Sequence, residues 1–317
     1  MRIGVYIIPD HPWQQAQHEW RRAEEMGFDH AWTFDHLVWG SLPDNRWFSC
    51  IPTLTAASLV TNRIPLGAFV ISPNFRHPVP LARELQTLLD IAGDRLLIGL
   101  GAGGTPDDLI LGQPPVTARE RVDRFQEFVR LLDLALTDDH VTFAGEYYSA
   151  IDMRLAGGSV RERIPLLLAG NGPRSVRFAA RHGDGWITTG TQAGNIEDWF
   201  AGVARSVRIL DDTLTGRPGG DRFPRYLSLT WAPHDPLTSA GALDDLIGRA
   251  AGLGFTDVVI PWPRTSRPHV ASMETFEATL AEVLPRWQVM PRFSRASSSA
   301  RSAGFLRMST SAATSTP

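Results

Sequence analysis

Short apolar runs and amphipathic stretches follow one another along this chain in nearly regular alternation. Arg2 to Ile8 is apolar enough for a buried strand, and Trp13 to Met26 carries a helical stripe that Gly27 closes. His30 to Phe34 predicts the second strand, Cys50 to Val60 a helix, and Ile64 to Ile71 a very apolar third strand. Val79 to Ile91 is helical up to Gly93, and Arg95 to Gly101 is the fourth strand. From Ala118 to Ala135 the helical period is strong, with Val122, Phe125, Val129 and Leu132 on one face. Val141 to Tyr148 departs from the alternation and predicts a small inserted hairpin around Ala144-Gly145. Ile164 to Ala169, Arg174 to Arg181, Gly185 to Thr189 and Ile196 to Leu214 restore the alternation. Tyr226 to Trp231, Ala242 to Ala251, Asp257 to Pro261 and Met273 to Leu284 complete the seventh and eighth units.

Eight strand–helix units predict an α/β fold of the (β/α)8 barrel type rather than an open doubly wound sheet. Nothing in the middle of the chain reads as a linker, so residues 1–291 are expected to form a single barrel domain. Residues 292–317 differ in kind: rich in Ser, Ala and Thr, without an acid, and expected to be disordered. That tail holds four arginines, so the formal charge of −3 leaves −3 − 4 = −7 on the preceding body. A basic tail either docks on an anionic partner or is simply a solvated terminus.

Composition narrows the chemistry. All 31 basic residues are arginine, which excludes Schiff-base lysine chemistry and a phosphate-loop lysine. The single cysteine, Cys50, excludes an intramolecular disulfide framework and a multi-cysteine zinc site, and reads as a small buried hydrophobe. None of the nine histidines makes a metal-binding pair pattern, so no metal is expected. The acidic balance gives no case for nucleic acid, and no apolar run is long enough for a membrane span. The first strand starts at the N-terminus without a leader pattern, so a cytoplasmic protein is expected.

Barrel enzymes carry their chemistry in the loops after the strands. Here those loops are Asp35-His36-Leu37-Val38-Trp39-Gly40, Ser72-Pro73-Asn74-Phe75-Arg76-His77-Pro78, Gly101-Ala102-Gly103-Gly104-Thr105 and Gly170-Asn171-Gly172-Pro173-Arg174. His36 is the most informative ionisable group: a strand-end His beside an Asp serves as acid, base or ligand, or only caps a loop. Gly170 to Arg174 ends a strand and opens a helix, which suits an anion as well as an ordinary tight turn. For an anionic ligand, Arg76, Arg174 and Arg177 offer bidentate contacts, although Arg177 and Arg181 equally read as a solvated helix face. Gly101 to Gly104 resembles part of a dinucleotide fingerprint but lacks the acidic residue that should follow at a second strand end. Trp39 and Trp47 either wall a planar ligand pocket or cover the barrel mouth.

Taken together these segments resemble the luciferase-like monooxygenase superfamily, most closely its branch using the deazaflavin coenzyme F420. The matching pieces run from Met1 to Leu284 and include Gly27-Phe28-Asp29, Asp35-His36, Thr61-Asn62-Arg63-Ile64-Pro65-Leu66-Gly67, His77-Pro78, Gly93-Asp94-Arg95, Gly99 to Gly103, Ala169 to Pro173 and Gly183-Asp184-Gly185-Trp186. The resemblance implies a bulged third strand, often with a non-prolyl cis peptide, backing the ring at Phe69 and Val70, with Ser72 at the ring edge. It implies that Asp35 contacts the ring system and that His36 is the catalytic residue beside the reactive carbon. Gly101, Ala102 and Gly103 would line the cofactor channel, with Ala169, Gly170, Asn171, Gly172 and Arg174 around the cofactor phosphate. One departure matters: the sugar-phosphate dehydrogenases of this branch keep an acid as proton donor where this chain has Gly104. Asp107 and Asp108 lie nearby and are expected to cap the next turn.

These expectations point to an F420-dependent oxidoreductase passing hydride to or from a small organic substrate. The alternatives are an FMN-dependent monooxygenase using reduced flavin and O2, and a non-catalytic flavin- or deazaflavin-binding protein. The resemblance further implies a homodimer.

Overall fold

A computed structural model describes residues 1–40, 42–154 and 163–288; the tail expected to be disordered lies outside them. Eight parallel strands close into a barrel, as the alternation predicts. In chain order they are β1 (Arg2–Tyr6), β2 (His30–Thr33), β3 (Leu66–Ile71), β4 (Leu96–Leu100), β7 (Leu166–Ala169), β8 (Gly185–Thr188), β9 (Arg225–Ser228) and β10 (Asp257–Pro261). β5 (Val141–Ala144) and β6 (Ser149–Met153) form the separate antiparallel hairpin. The outer ring is α1 (Trp13–Glu25), α2 (Cys50–Val60), α3 (Pro78–Ala92), α5 (Ala118–Thr137), α6 (Pro173–His182), α7 (Ile196–Leu214), α8 (Ala240–Gly252) and α9 (Met273–Trp287), while the short α4 (Thr105–Ile110) lies at the rim after β4.

The strands are buried along nearly their whole length because a parallel barrel covers both faces, which explains their continuous apolar runs. One apolar layer fills the space between strands and helices, with Trp20, Leu85, Phe125, Phe128 and Trp199 at its centre. A second fills the barrel itself: Tyr6, Trp32, Phe34, Phe69, Leu97, Leu167, Ile187, Tyr226 and Val259. The helix punctuation follows the sequence. Gly27 and Gly93 follow α1 and α3 at φ 83° and 66°, values that a side chain disfavours. α5 opens on a capping box, Glu120 N–H donating to Thr117 Oγ1 and Thr117 N–H to the Glu120 carboxylate.

The barrel floor is closed by polar groups that satisfy one another. Trp32 Nε1 donates to His30 Nδ1 at 2.6 Å, which leaves His30 Nε2–H to donate to Asp257 Oδ1 at 2.9 Å. Arg2 pairs with the other oxygen of Asp257 at 2.8 Å. Burial pushes the Asp257 carboxyl up, but His30 and Arg2 together outweigh it and hold the group below the usual carboxylate range.

Three local expectations need correction. The hairpin turn is longer than Ala144-Gly145, because Glu127 of α5 accepts from the amides of Glu146, Tyr147 and Tyr148 and holds them out of the ladder. The seventh barrel strand ends at Ser228, whose hydroxyl accepts from the Thr230 amide and turns Leu229–Trp231 into a 3-10 segment. Asp107 and Asp108 do not cap a turn; they lie within α4, 1% and 0% exposed.

Candidate active site

β2 ends at Thr33, and the chain continues over the barrel rim through Phe34, Asp35 and His36. His36 is fixed from behind. Its Nδ1 lies 2.8 Å from Asp107 Oδ2, and the second oxygen of Asp107 accepts from the Leu37 amide at 2.7 Å. An ionised Asp107 can only accept, so Nδ1 carries the proton and Nε2 is the ring atom left for chemistry. Among the described residues no hydrogen bond reaches that Nε2. Burial pushes the Asp107 carboxyl up, yet the His36 ring and the Leu37 and Val38 amides prevail and hold it below its ordinary range.

Asp35, 2% exposed, takes the guanidinium of Arg76 in a bidentate pair at 2.7 and 2.8 Å. Arg76 also reaches Glu84 of α3 at 3.0 Å, so it is committed within the protein rather than offered to an anion at the rim. His77, the other positive candidate there, accepts from the Val79 amide as the N-cap of α3. Beneath Asp35 lies Cys50, the first residue of α2; burial and the Asp35 charge push its thiol well up, so it is inert at neutral pH.

Aromatic rings surround His36. Trp39 and Trp47 stand 6.5 and 6.2 Å from its ring, 5.6 Å from each other, and Phe34 stacks against Tyr6 at 4.6 Å. The Trp47 Nε1 is buried without a partner among the described residues. Across the mouth β3 is irregular, as the resemblance implies: its register shifts between Ala68 and Ile71, and the Phe69–Val70 peptide is cis. Just beyond, the Ser72 hydroxyl is buried and lacks a partner among the described residues. The glycine loop after β4 is braced by Asn74, which donates to the Gly104 carbonyl at 2.5 Å and accepts from Arg121 and Arg124 of α5. A Cβ on Gly103 would fall 2.1 Å from Asn74 Oδ1, so this brace requires glycine there.

After β7, Asn171 Oδ1 accepts from Thr188 Oγ1 at 2.8 Å and Trp186 Nε1 donates to the Gly170 carbonyl at 2.8 Å. Gly172 is the N-cap of α6, supplies no capping side chain, and has open space where a Cβ would stand. The first-turn amides of a helix lack intrahelical partners, so this end has backbone donors to offer. Arg174 contributes its backbone to this end while its guanidinium turns to Asp123 and Gln126 on α5. A recess of about 360 Å³ between α1 and α2, lined by Trp13, Trp20, Phe48 and Pro52, reaches the ends of β1 and β2 at Ile7, Ile8 and Thr33 but includes none of His36, Ser72 or the glycine loops.

The luciferase-like monooxygenase family profile matches residues 1–214, which is more than half of the chain. The chain belongs to this family. It is an oxidoreductase of the luciferase-like type. An F420-dependent glucose-6-phosphate dehydrogenase of Intrasporangium calvum is 33% identical over 256 residues, spanning 71% of this chain and 75% of that protein. In fold it is similar to an F420-dependent secondary alcohol dehydrogenase solved with an F420–acetone adduct: TM-score 0.74, 18% identity, 90% of this chain and 98% of that one. It is also similar to the FMN-bound oxygenating constituent of a 3,6-diketocamphane monooxygenase from Pseudomonas putida, with TM-score 0.66, 15% identity, and coverage of 90% and 98%. At such identities the two structures speak for the barrel alone.

Within this luciferase-like frame Gly104 is a matter of chemistry rather than of space. A Cβ there meets nothing nearer than Pro106 Cδ at 3.6 Å, and the backbone is extended at φ −136°. Gly104→Glu is therefore expected to change stability by less than about 1 kcal/mol, the cost of a poorer N-cap. Thermal unfolding checks this; a larger loss would show that the mouth is closed over Gly104.

The site residue that sequence reasoning misplaces is Asp107. Its one visible signal is its position a few residues past a strand-end glycine loop, where a barrel keeps its functional groups.

Proposed function

We propose that the chain is an F420-dependent oxidoreductase that transfers a hydride between the deazaflavin and a small organic substrate. The observation that carries this reading is the rim itself: a His36 ring held through Nδ1 by Asp107, with two buried polar atoms at the strand ends, Ser72 Oγ and Trp47 Nε1, that lack a partner among the described residues. Buried polar groups are nearly always satisfied, so such orphans fit a mouth built around a polar planar ligand. The F420-dependent glucose-6-phosphate dehydrogenase relative supports the choice of deazaflavin.

In this reading Phe69 and Val70 back the ring, Ser72 reaches its edge, and Gly101, Ala102 and Gly103 line the way in. Ala169, Gly170, Asn171 and Gly172, with the Arg174 amide, hold the phosphate. Asp35 borders the ring through the edge of its pair with Arg76. When bound, the deazaflavin supplies the hydride-carrying carbon. The protein orients the reactants, excludes water, and places His36 Nε2 to hold or deliver a proton. Trp39 and Trp47 wall the substrate side. Gly104 removes the acid that a sugar phosphate dehydrogenase keeps, so the substrate is proposed to be one whose proton His36 alone can manage.

Titration of the purified protein with F420 and with FMN, followed by fluorescence quenching, tests this. F420 is expected to saturate the site and FMN to bind at least about tenfold more weakly, a difference of about 1.4 kcal/mol. Micromolar FMN binding without F420 binding overturns the proposal in favour of the monooxygenase.

A further inference from the structure

On the outer face of the barrel, α5 and α6 enclose a groove of about 240 Å³. Its walls are cationic: Arg174, Arg177, Arg181 and His182 from α6, with Arg130 and Gln126 from α5. The three α6 arginines fall at the spacing that puts them on one helix face. Arg174 has a partner in Asp123, but among the described residues no carboxylate pairs with Arg130, Arg177 or Arg181. Asp133, the α5 acid that acts on His182, is taken up by Arg163 at 2.9 Å. Phe178 forms the floor, with the Arg130 guanidinium 6.0 Å from its ring and the His182 ring 4.5 Å from it.

Like charges three and four residues apart on a helix destabilise it. The helix dipole favours Arg181 and His182 in the last turn but opposes Arg174 in the first, so it does not account for the row. The contrast with the rest of the molecule is sharp, since the body preceding the tail carries −3 − 4 = −7. Burial, together with Arg130 and Arg181 and also Arg217, pushes His182 below its ordinary range against a weaker pull from Asp133. Burial is the larger cause, and the neighbouring arginines add to it in the same direction.

We propose that this α5–α6 groove is a binding site for a multiply charged oxyanion of the phosphate class, distinct from the mouth around His36 although its Arg174 end adjoins the Gly170–Gly172 loop. Planar guanidiniums converging from two helices match tetrahedral phosphate oxygens bidentately, and a diphosphate would engage several of them at once. A dianion seated there removes the repulsion along α6 and stabilises the protonated form of His182.

His182 is a reporter built into the groove. The full-length protein, without cofactor, is titrated with inorganic diphosphate at constant ionic strength while the histidine ring signals are followed by NMR, His182 being assigned through His182→Gln. The expected result is a saturable shift of the His182 signal and a rise of its pKa, with chloride giving neither. Arg177→Gln/Arg181→Gln, which changes two exposed side chains, weakens binding by at least about tenfold. Arg130→Gln, on the other helix, weakens it as well. A response that never saturates, or one equal in both variants and the wild type, overturns the proposal. So does a shift confined to His36, which would place the anion at the mouth instead.

Discussion

Arg76→Ala is expected to lower the stability of the barrel by about 3–5 kcal/mol, the cost of leaving a buried carboxylate without its partner. The pair deserves that figure rather than the small one for surface bridges. Asp35 is 2% exposed and both its oxygens are bound by one guanidinium. The contact also ties the end of β2 to the middle of α3 through Glu84, so its loss loosens two rim segments together. Urea unfolding followed by far-UV circular dichroism measures the change. The double variant Asp35→Leu/Arg76→Met, which removes both charges while keeping bulk, should recover most of the loss. If Arg76→Ala costs less than about 1 kcal/mol, water reaches Asp35 and the pair is a surface bridge.

The second large effect concerns the proton. Under the proposed function His36→Ala is expected to lower turnover by about 10²–10⁴-fold, the range for a positioned acid or base, with F420 affinity nearly unchanged. A variant that binds F420 and keeps full turnover would remove His36 from the chemistry. Asp107→Asn tests the support behind it without needing a substrate. Because the Asp107 carboxyl is held below its ordinary range in the folded state, it contributes stability above its unfolded pKa of about 3.9. That contribution fades as pH falls through the lower folded value. Wild-type melting temperature should thus drop between neutral pH and the acid limb more steeply than that of Asp107→Asn, and parallel slopes would show that Asp107 is not charged behind His36.

The contrast between His36 and Asp107 shows what was legible in the sequence. Alternating apolar runs suffice for the barrel because a parallel strand covered on both faces needs nothing else. Once the barrel is drawn, the strand-end rule picks out His36, Ser72 and the Gly170–Gly172 loop. Asp107 is 71 positions from His36, and their contact exists only once α4 folds over the rim. The hairpin turn fails for the same reason, since Glu127 shapes it from about twenty positions upstream. Arg76 is the instructive case. A rim arginine looks available to a ligand until a partner 41 residues away claims it, and nothing in local pattern announces that partner. Pattern reads faces; pairings between charged side chains come from the closed fold.

The packed barrel has a kinetic corollary. Tyr6, Trp32, Phe69, Leu97, Tyr226 and their neighbours fill the lumen, and Asp257, His30 and Trp32 bolt its lower end. Among the described residues, that leaves the strand-end mouth as the way in. Whatever lies deeper at the rim must arrive first and depart last, so ligand exchange is a stack rather than a queue. A deazaflavin spread over Ser72 and the Gly101–Gly103 channel would be loaded before the substrate that covers it. Steady-state analysis should accordingly give a compulsory order of addition, with the small product gone before the cofactor is replaced.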